Sequence, residues 1–144
     1  MASLDYGLYK DLGDEVIDVP VKASETWDIG TFVDLDASGY LQACAAGDVP
    51  FGVTVAELTS DDSPSSDGEI KHLVYTGPNN QFAYPADSGT PTRALVGKKM
   101  DVGGARSVDI DASTDGALLC RDVITKAGET LVVVQLIPSA AAGV

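Results

Sequence analysis

VDLDASGYLQAC, residues 33–44, returns with one extra residue at its turn as VDIDASTDGALLC, residues 108–120. In both copies Val and Leu or Ile alternate with Asp, which is the period-2 pattern of a half-buried β-strand. Ser and Gly then supply a turn, and a second short apolar run ends on Cys. Each copy therefore predicts a β-hairpin. The alternative is that the two segments are similar by chance, because two copies are too few to define a repeat array.

The same alternation continues along the chain. Strands are predicted over residues 15–21, 27–35, 40–44, 51–58, 70–76, 81–84, 94–102, 107–110, 117–124 and 130–137. Gly and Pro recur at the turns between them, and no Gly- and Pro-free window of 11 or more residues has a convincing helical period. Strands at this spacing are typical of a β-sandwich or barrel. We expect an all-β protein with very little helix.

The length of 144 residues suits one domain with its own core. Residues 1–14 show no clean period and are expected to form an extended N-terminal arm. Residues 15–138 would form the β domain, and 139–144 a C-terminal tail of small residues. Within the domain, TSDDSPSSDGE at 59–69 has no apolar side chain and predicts a mobile acidic surface loop.

The formal net charge is −13, and it is uneven along the chain. Residues 1–75 contain 15 acidic and 3 basic residues, whereas 76–144 contain 7 acidic and 6 basic residues. Nucleic acids and anionic lipids bind through Lys and Arg clusters, so neither is an expected partner. No apolar run is long enough to span a membrane, and the first residues lack the features of a signal peptide. The acidic charge suits a basic protein surface or divalent cations, or it serves solubility alone.

The side-chain inventory argues against catalysis. His72 is the only histidine, no G-x-S-x-G motif is present, and Gly97-Lys98-Lys99 lacks the rest of a phosphate-binding loop. Two widely separated cysteines and one histidine also disfavour zinc. We expect a protein that is not an enzyme and that has no cofactor and no metal.

Two features leave alternatives open. Residues 111–122 match the oxygen-ligand spacing of a calcium loop, but Asp122 replaces the usual Glu and the flanks predict strands rather than helices. A plain hairpin turn is the favoured interpretation. Cys44 and Cys120 fill the matching last place of the two copies; buried reduced thiols are favoured, and a disulfide remains geometrically conceivable.

Candidate contact residues come from the apolar and aromatic side chains. Tyr6, Leu8, Tyr9 and Leu12 are hard to bury in a small domain, so the arm is interpreted as a docking segment rather than a disordered tail. Trp27 is either an anchor for a subunit contact or a cap on the core.

In several segments the order of strand and turn residues resembles that of the capsid decoration, or head cement, proteins of tailed bacteriophages. The segments together span roughly residues 28–138: GTFVDLD at 30–36, CAAGDVPFGV at 44–53, ALVGKKMDV at 94–102, VDIDAS at 108–113 and LVVVQLIP at 131–138. The resemblance implies a β-rich domain bound to the major capsid protein on the outside of the head, often as a homotrimer. It implies no enzymatic activity, a location on the capsid exterior and assembly in the host cytoplasm. The alternatives are another virion component, such as a head fibre base, tail or spike protein, or a small carbohydrate- or calcium-binding β module.

Overall fold

A computed structural model describes residues 6–137. Over this range the chain forms eleven β-strands and one short 3-10 turn, which confirms the all-β prediction. The strands are β1 Gly7–Lys10, β2 Val16–Pro20, β3 Phe32–Leu35, β4 Leu41–Ala43, β5 Gly52–Thr54, β6 Lys71–Tyr75, β7 Gln81–Tyr84, β8 Lys99–Gly104, β9 Ser107–Asp109, β10 Leu118–Lys126 and β11 Glu129–Leu136; the 3-10 turn is Arg93–Leu95.

The strands make two antiparallel sheets that pack as a sandwich. The six-stranded sheet has the order β1-β7-β11-β10-β8-β9, and the five-stranded sheet has the order β2-β6-β5-β3-β4. The β10–β11 hairpin is the longest pairing, and a bulge between Cys120 and Asp122 shifts its register. The five-stranded sheet is built from residues 16–54 and 71–75, so the acidic first half of the chain forms one layer.

Strand alternation divides the five-stranded sheet into two apolar faces. Phe32 faces the six-stranded sheet and joins Phe82, Tyr84, Met100 and Leu118 in the main core. Its neighbour Val33 faces the opposite side, where the loops of residues 22–31 and 55–70 cover a second core. That second core contains Val19, Val21, Trp27, Val33, Leu41, Leu58 and Val74.

The prediction of a twice-used hairpin is right for one copy and wrong for the other. Residues 33–44 form the β3–β4 hairpin, with the Asp36 carboxylate accepting the Ser38 and Tyr40 amides. In the second copy β9 and β10 do not pair, because β8 lies between them. The buried Asp101 carboxylate on β8 accepts the amides of residues 114–116 at 2.8–3.1 Å and holds the connecting loop across the strand. Similar local sequences thus serve two different long-range pairings.

Three predicted strands are shorter than expected, and the one predicted over residues 51–58 is reduced to β5, Gly52–Thr54. Trp27 makes an isolated bridge with Leu58, and residues 28–31 form a turn before β3, since Gly30 adopts φ +77° and the Thr31 hydroxyl donates to the Asp28 carbonyl. Residues 93–97 form the 3-10 turn and its exit, so β8 begins at Lys99 instead of Ala94. Period-2 alternation does not distinguish such turns from strands, although the apolar Ile29 and Val96 in them are exposed.

The described part of the N-terminal segment belongs to the sandwich. β1 pairs with β7 at the edge of the six-stranded sheet. Farther along, the buried Asn80 side chain accepts the Leu12 amide at 2.7 Å, and Asp14 accepts the Asn79 amide at 2.6 Å. Residues 1–5 of the predicted arm and the predicted tail, 139–144, lie outside the described residues.

The acidic loop at 59–69 lies on the surface and is hydrogen-bonded to the chain around residues 21–25. The Pro64 carbonyl accepts the Ser24 amide at 2.8 Å, and the Asp67 carboxylate accepts the Ala23 amide at 2.8 Å. Glu69 accepts hydrogen bonds from the amides and hydroxyls of Ser65 and Ser66. The loop is thus tied to residues 21–25 by backbone and side-chain hydrogen bonds.

Candidate docking surface

An apolar groove of about 290 Å³ opens where β1 meets the end of the five-stranded sheet. Leu8 and Ile29 line it and are 41% and 44% exposed, which is unusual for aliphatic side chains that lie together. Tyr6, Tyr75, Thr54 and Val55 complete the lining. Leu8 pairs with Phe82 and so faces the space between the two sheets, at the point where the main core reaches solvent.

The apolar surface continues from the groove along β6 and β2. Val16 is paired with Tyr75, so its side chain lies on the same face of the sheet. Leu73 lies two residues from Tyr75 and shares that face. Val16 and Leu73 are 41% and 48% exposed. The groove therefore belongs to a wider apolar strip, formed by Leu8, Ile29, Tyr75, Val16 and Leu73, which we call the apolar strip.

A polar cluster anchors the N-terminal end of the groove. The Tyr6 hydroxyl donates to the Glu129 carboxylate at 2.6 Å, and the Arg106 guanidinium lies over the Tyr6 ring, 4.9 Å from its centroid. The hydrogen bond to Glu129, together with burial, raises the pKa of the Tyr6 phenol. Arg106 also contacts Asp28 at 3.4 Å and donates to the Ile29 carbonyl. These contacts join β1, the 28–31 turn and the β10–β11 hairpin.

Two glycines allow β1 to approach the 28–31 turn at backbone contact distance. A Cβ atom on Gly30 would lie 2.2 Å from the Tyr6 carbonyl oxygen, and one on Gly7 would lie 2.6 Å from the Gly30 Cα. Both residues have positive φ angles, +77° and +111°. The buried Tyr84 hydroxyl donates to the Gly30 carbonyl at 2.7 Å and fixes the turn from below. The position of Leu8 beside Ile29 thus depends on this glycine pair.

The structure places only two of the five predicted contact residues in the groove, Tyr6 and Leu8. Tyr9 and Leu12 are exposed, at 41% and 52%, but do not line it. Trp27 is 7% exposed and lies in the second core, where its ring makes an edge contact with His72 at 5.4 Å. The core interpretation of Trp27 is the one that fits. Ile29 and Tyr75 were not singled out in the sequence, because both fall within predicted strands.

The five-stranded layer carries most of the acidic charge. Residues 15–75 contain twelve acidic and two basic residues, whereas 76–137 contain seven acidic and six basic residues. Among the described residues only two ion pairs form, Arg93–Asp122 and Arg106–Asp28. Nearly all carboxylates of the acidic layer are therefore without a basic partner in the described part of the chain. A surface of this kind attracts a basic partner over roughly one Debye length, about 8–10 Å.

His72 and the side chains near Trp27 are the remaining places where catalytic groups could meet. His72 lies between Trp27 and the backbone of Glu57, and burial lowers its pKa despite the nearby Asp18. A depression of about 360 Å³ beside Trp27 brings Asp28, Glu57 and Arg106 together, with no histidine or cysteine among its described lining residues.

The proposed calcium loop is organised by other interactions. The Asp122 carboxylate pairs with Arg93, and its backbone lies in β10 on the far side of the bulge. The amides of residues 114–116 are directed to Asp101, as described above. Cys44 and Cys120 are both buried and unpaired in the main core. The plain hairpin turn predicted for residues 111–122 is wrong as well, because β8 separates β9 from β10 and the segment is a loop held by Asp101.

Comparisons with protein-family models and with curated proteins find no match to this chain. Within residues 6–137, no helix has the length and apolar character needed to cross a membrane.

Proposed function

We propose that this chain is a non-enzymatic structural protein of a tailed-bacteriophage virion, which binds the outer surface of the head and cements neighbouring capsomers. The proposal begins from the sequence resemblance across residues 28–138 and from the residue inventory described above. The observation that carries it is the apolar strip, which lies beside an edge strand and next to an acidic layer. Its partner would be the major capsid protein.

The edge strand β1 offers backbone groups as well as apolar contacts. β1 pairs with β7 on one side and with no described strand on the other. Free N–H and C=O groups on an edge strand can pair with an extended segment of another chain. Leu8 and Ile29 would then receive the apolar side chains of that segment. Such a contact needs no moving part, which suits a stiff β-sandwich that must resist the outward pressure of packaged DNA.

The acidic charge of the five-stranded layer and the large number of bound copies would strengthen the attachment. The acidic layer favours a basic patch on the capsid surface, mainly through a faster association rate. Many identical copies on one lattice turn modest single contacts into durable attachment. We propose a homotrimer as the bound form, since that is the assembly implied by the resemblance.

The experiment is a binding assay between the purified protein and heads that lack it. Leu8→Asp and Ile29→Asp place a charge in the groove and should reduce occupancy by at least tenfold, because each replaces an apolar contact with a charge that must be desolvated. Val96→Asp is the matched control: Val96 is 38% exposed, directly follows the 3-10 turn, lies outside the groove, and its substitution should leave occupancy unchanged. Point substitutions are preferable to a deletion of residues 1–14, because the deletion would remove β1 from the sheet.

Occupancy that is unchanged by both groove substitutions would reject the groove as the docking site. Binding to tails or fibres in place of heads, seen by electron microscopy of particles, would favour another virion component. A chain that binds no virion part at all would reject the structural role. The oligomeric state is read separately from the solution mass, where a trimer has three times the 14.9 kDa of one chain.

A further inference from the structure

Three potential metal ligands meet at the mouth of the main core, near the edge strand β4. One carboxylate oxygen each from Asp34 and Asp48 and the Sγ atom of Cys44 all lie within 4.8 Å of one another. Asp34 is on β3, Cys44 directly follows β4, and Asp48 is in the next turn. Among the described residues, this is the one such group of His, Cys, Asp and Glu side chains.

The fold brings these residues together through alternation and one inter-sheet hydrogen bond. Asp34 lies two residues from Phe32 and therefore faces the same side, toward the six-stranded sheet. The Cys44 amide donates to the Phe32 carbonyl at 2.9 Å, and the Gly47 amide donates to the Val102 carbonyl of β8 at 2.8 Å. The turn of residues 45–48 is thus held over the end of the core, with Asp48 pointing back to Asp34.

The group has polar atoms that the protein does not satisfy. The Asp34 Oδ1 atom is covered from solvent and has no hydrogen-bond donor, whereas the paired Gln42 side chain interacts with the Asp34 carboxyl group. The Cys44 side chain is 95% buried, at 5% exposure, and none of the described hydrogen bonds includes its thiol. Burial, followed by the nearby Asp34 and Asp48 charges, raises the pKa of the Cys44 thiol, and burial raises the pKa of Asp34. Neither ion pair of the described residues reaches this group.

We propose that Asp34, Cys44 and Asp48 form a binding site for a divalent cation that accepts thiolate and carboxylate ligands together, with Zn²⁺ as the best example. A cation would supply the positive charge that two carboxylates and a buried sulfur lack, and it would give Asp34 Oδ1 a partner. Zinc binds Cys sulfur at about 2.3 Å and carboxylate oxygen at about 2.0–2.2 Å. Ca²⁺ and Mg²⁺ take oxygen ligands, so the thiol selects against them.

The ligand atoms must move closer together when the cation binds. Tetrahedral bonds of those lengths place neighbouring ligand atoms about 3.3–3.7 Å apart, so a pair of atoms 4.8 Å apart must close by about 1–1.5 Å. The half-buried Asp48 accepts the Ala45 amide through Oδ2 at 2.8 Å, so its other carboxylate oxygen would have to supply the movement together with Asp34. Three protein ligands leave a fourth position for water. The Cys44 thiol loses its proton as the Zn–S bond forms, and one proton is released to solvent for each cation bound.

The test is a titration of the chelator-treated full chain with Co²⁺, a spectroscopic substitute for Zn²⁺. The wild type should gain a thiolate-to-cobalt charge-transfer band that Zn²⁺ removes and Ca²⁺ does not. Cys44→Ser should abolish the band, and Asp34→Asn should weaken cobalt binding at least tenfold. Cys120→Ser is the matched control, since Cys120 is the other buried thiol and lies outside the group, and it should keep the band.

A second readout does not depend on colour. Zinc at about 100 times its dissociation constant should raise the thermal midpoint of the wild type by about 5–10 °C and that of Cys44→Ser by none. Comparing each variant with and without zinc separates binding from any loss of basal stability. Absence of the cobalt band, its persistence in Cys44→Ser, its loss in Cys120→Ser or competition by Ca²⁺ would each overturn the proposal.

Discussion

Replacing Gly30 with Ala should detach β1 from the turn that positions the groove. The new Cβ would lie 2.2 Å from the Tyr6 carbonyl oxygen and 2.7 Å from the Gly7 Cα, and both are backbone atoms that cannot rotate away. Holding Ala at φ +77° costs about 1–2 kcal/mol. Relieving the overlap by displacing the chain costs about 1–3 kcal/mol more. The expected total loss of unfolding free energy is about 2–5 kcal/mol, a large part of the stability of a small domain.

Gly39→Ala separates the two contributions. Gly39 has a similar φ, +88°, but a Cβ atom there meets nothing within 4 Å. It should therefore lose only the backbone contribution, about 1–2 kcal/mol. Urea unfolding measures both losses, and amide hydrogen exchange reports where they arise: Gly30→Ala should speed exchange in β1, and Gly39→Ala should not. Equal destabilisation by the two variants, or unchanged exchange in β1, would refute the close-approach argument.

Three further predictions concern the turns and the buried polar groups. Ala127→Asn should stabilise the protein by about 0.5–1 kcal/mol in urea unfolding, because Ala127 and Gly128 form a two-residue hairpin turn with φ +51° and +80° between the paired Lys126 and Glu129; a loss of stability would contradict that turn assignment. Asp101→Ala should lower the unfolding free energy by about 3 kcal/mol, since it leaves three backbone amides without their acceptor, whereas Ser113→Ala in the same loop should change it little. The lowered pKa of His72 means that the unfolded chain binds a proton more readily than the folded chain, so stability should fall as the pH drops from 7.5 through 6.5 to 5.5. His72→Phe should lessen that fall in the urea midpoint, and an identical pH dependence in the variant would assign it to other groups.

The local part of the fold was readable from the sequence, and the pairing of distant strands was not. Alternation and turn chemistry predicted the β3–β4 hairpin because its strands are joined by a five-residue connection whose turn residues are visible. The same pattern misled at residues 108–120, where β8 intervenes and Asp101 captures the loop. The two copies differ because the buried Asp101 carboxylate, which lies on β8 and outside the repeat, binds the loop of the second copy only.

The candidate sites show the same division. Leu8 was recognised as hard to bury, but its neighbours Ile29 and Tyr75 come from different elements and only meet where the two sheets end. Trp27 looked equally suited to surface and core, and its packing within the second core decided the matter. Asp34 and Cys44 were noticed as parts of a hairpin, and no spacing motif linked them with Asp48 as a group of ligands.

By itself, the amino-acid sequence determined the all-β class, the positions of most turns and the concentration of acidic charge in the first half of the chain. These depend on properties of neighbouring residues: side-chain alternation, backbone preference and formal charge. Only the tertiary structure decided which strands pair, that β1 closes the six-stranded sheet, and which side chains converge at the groove and at Cys44. Those outcomes depend on which apolar faces cover one another and which buried polar groups find a partner across the fold, and neither is encoded in any short stretch of sequence.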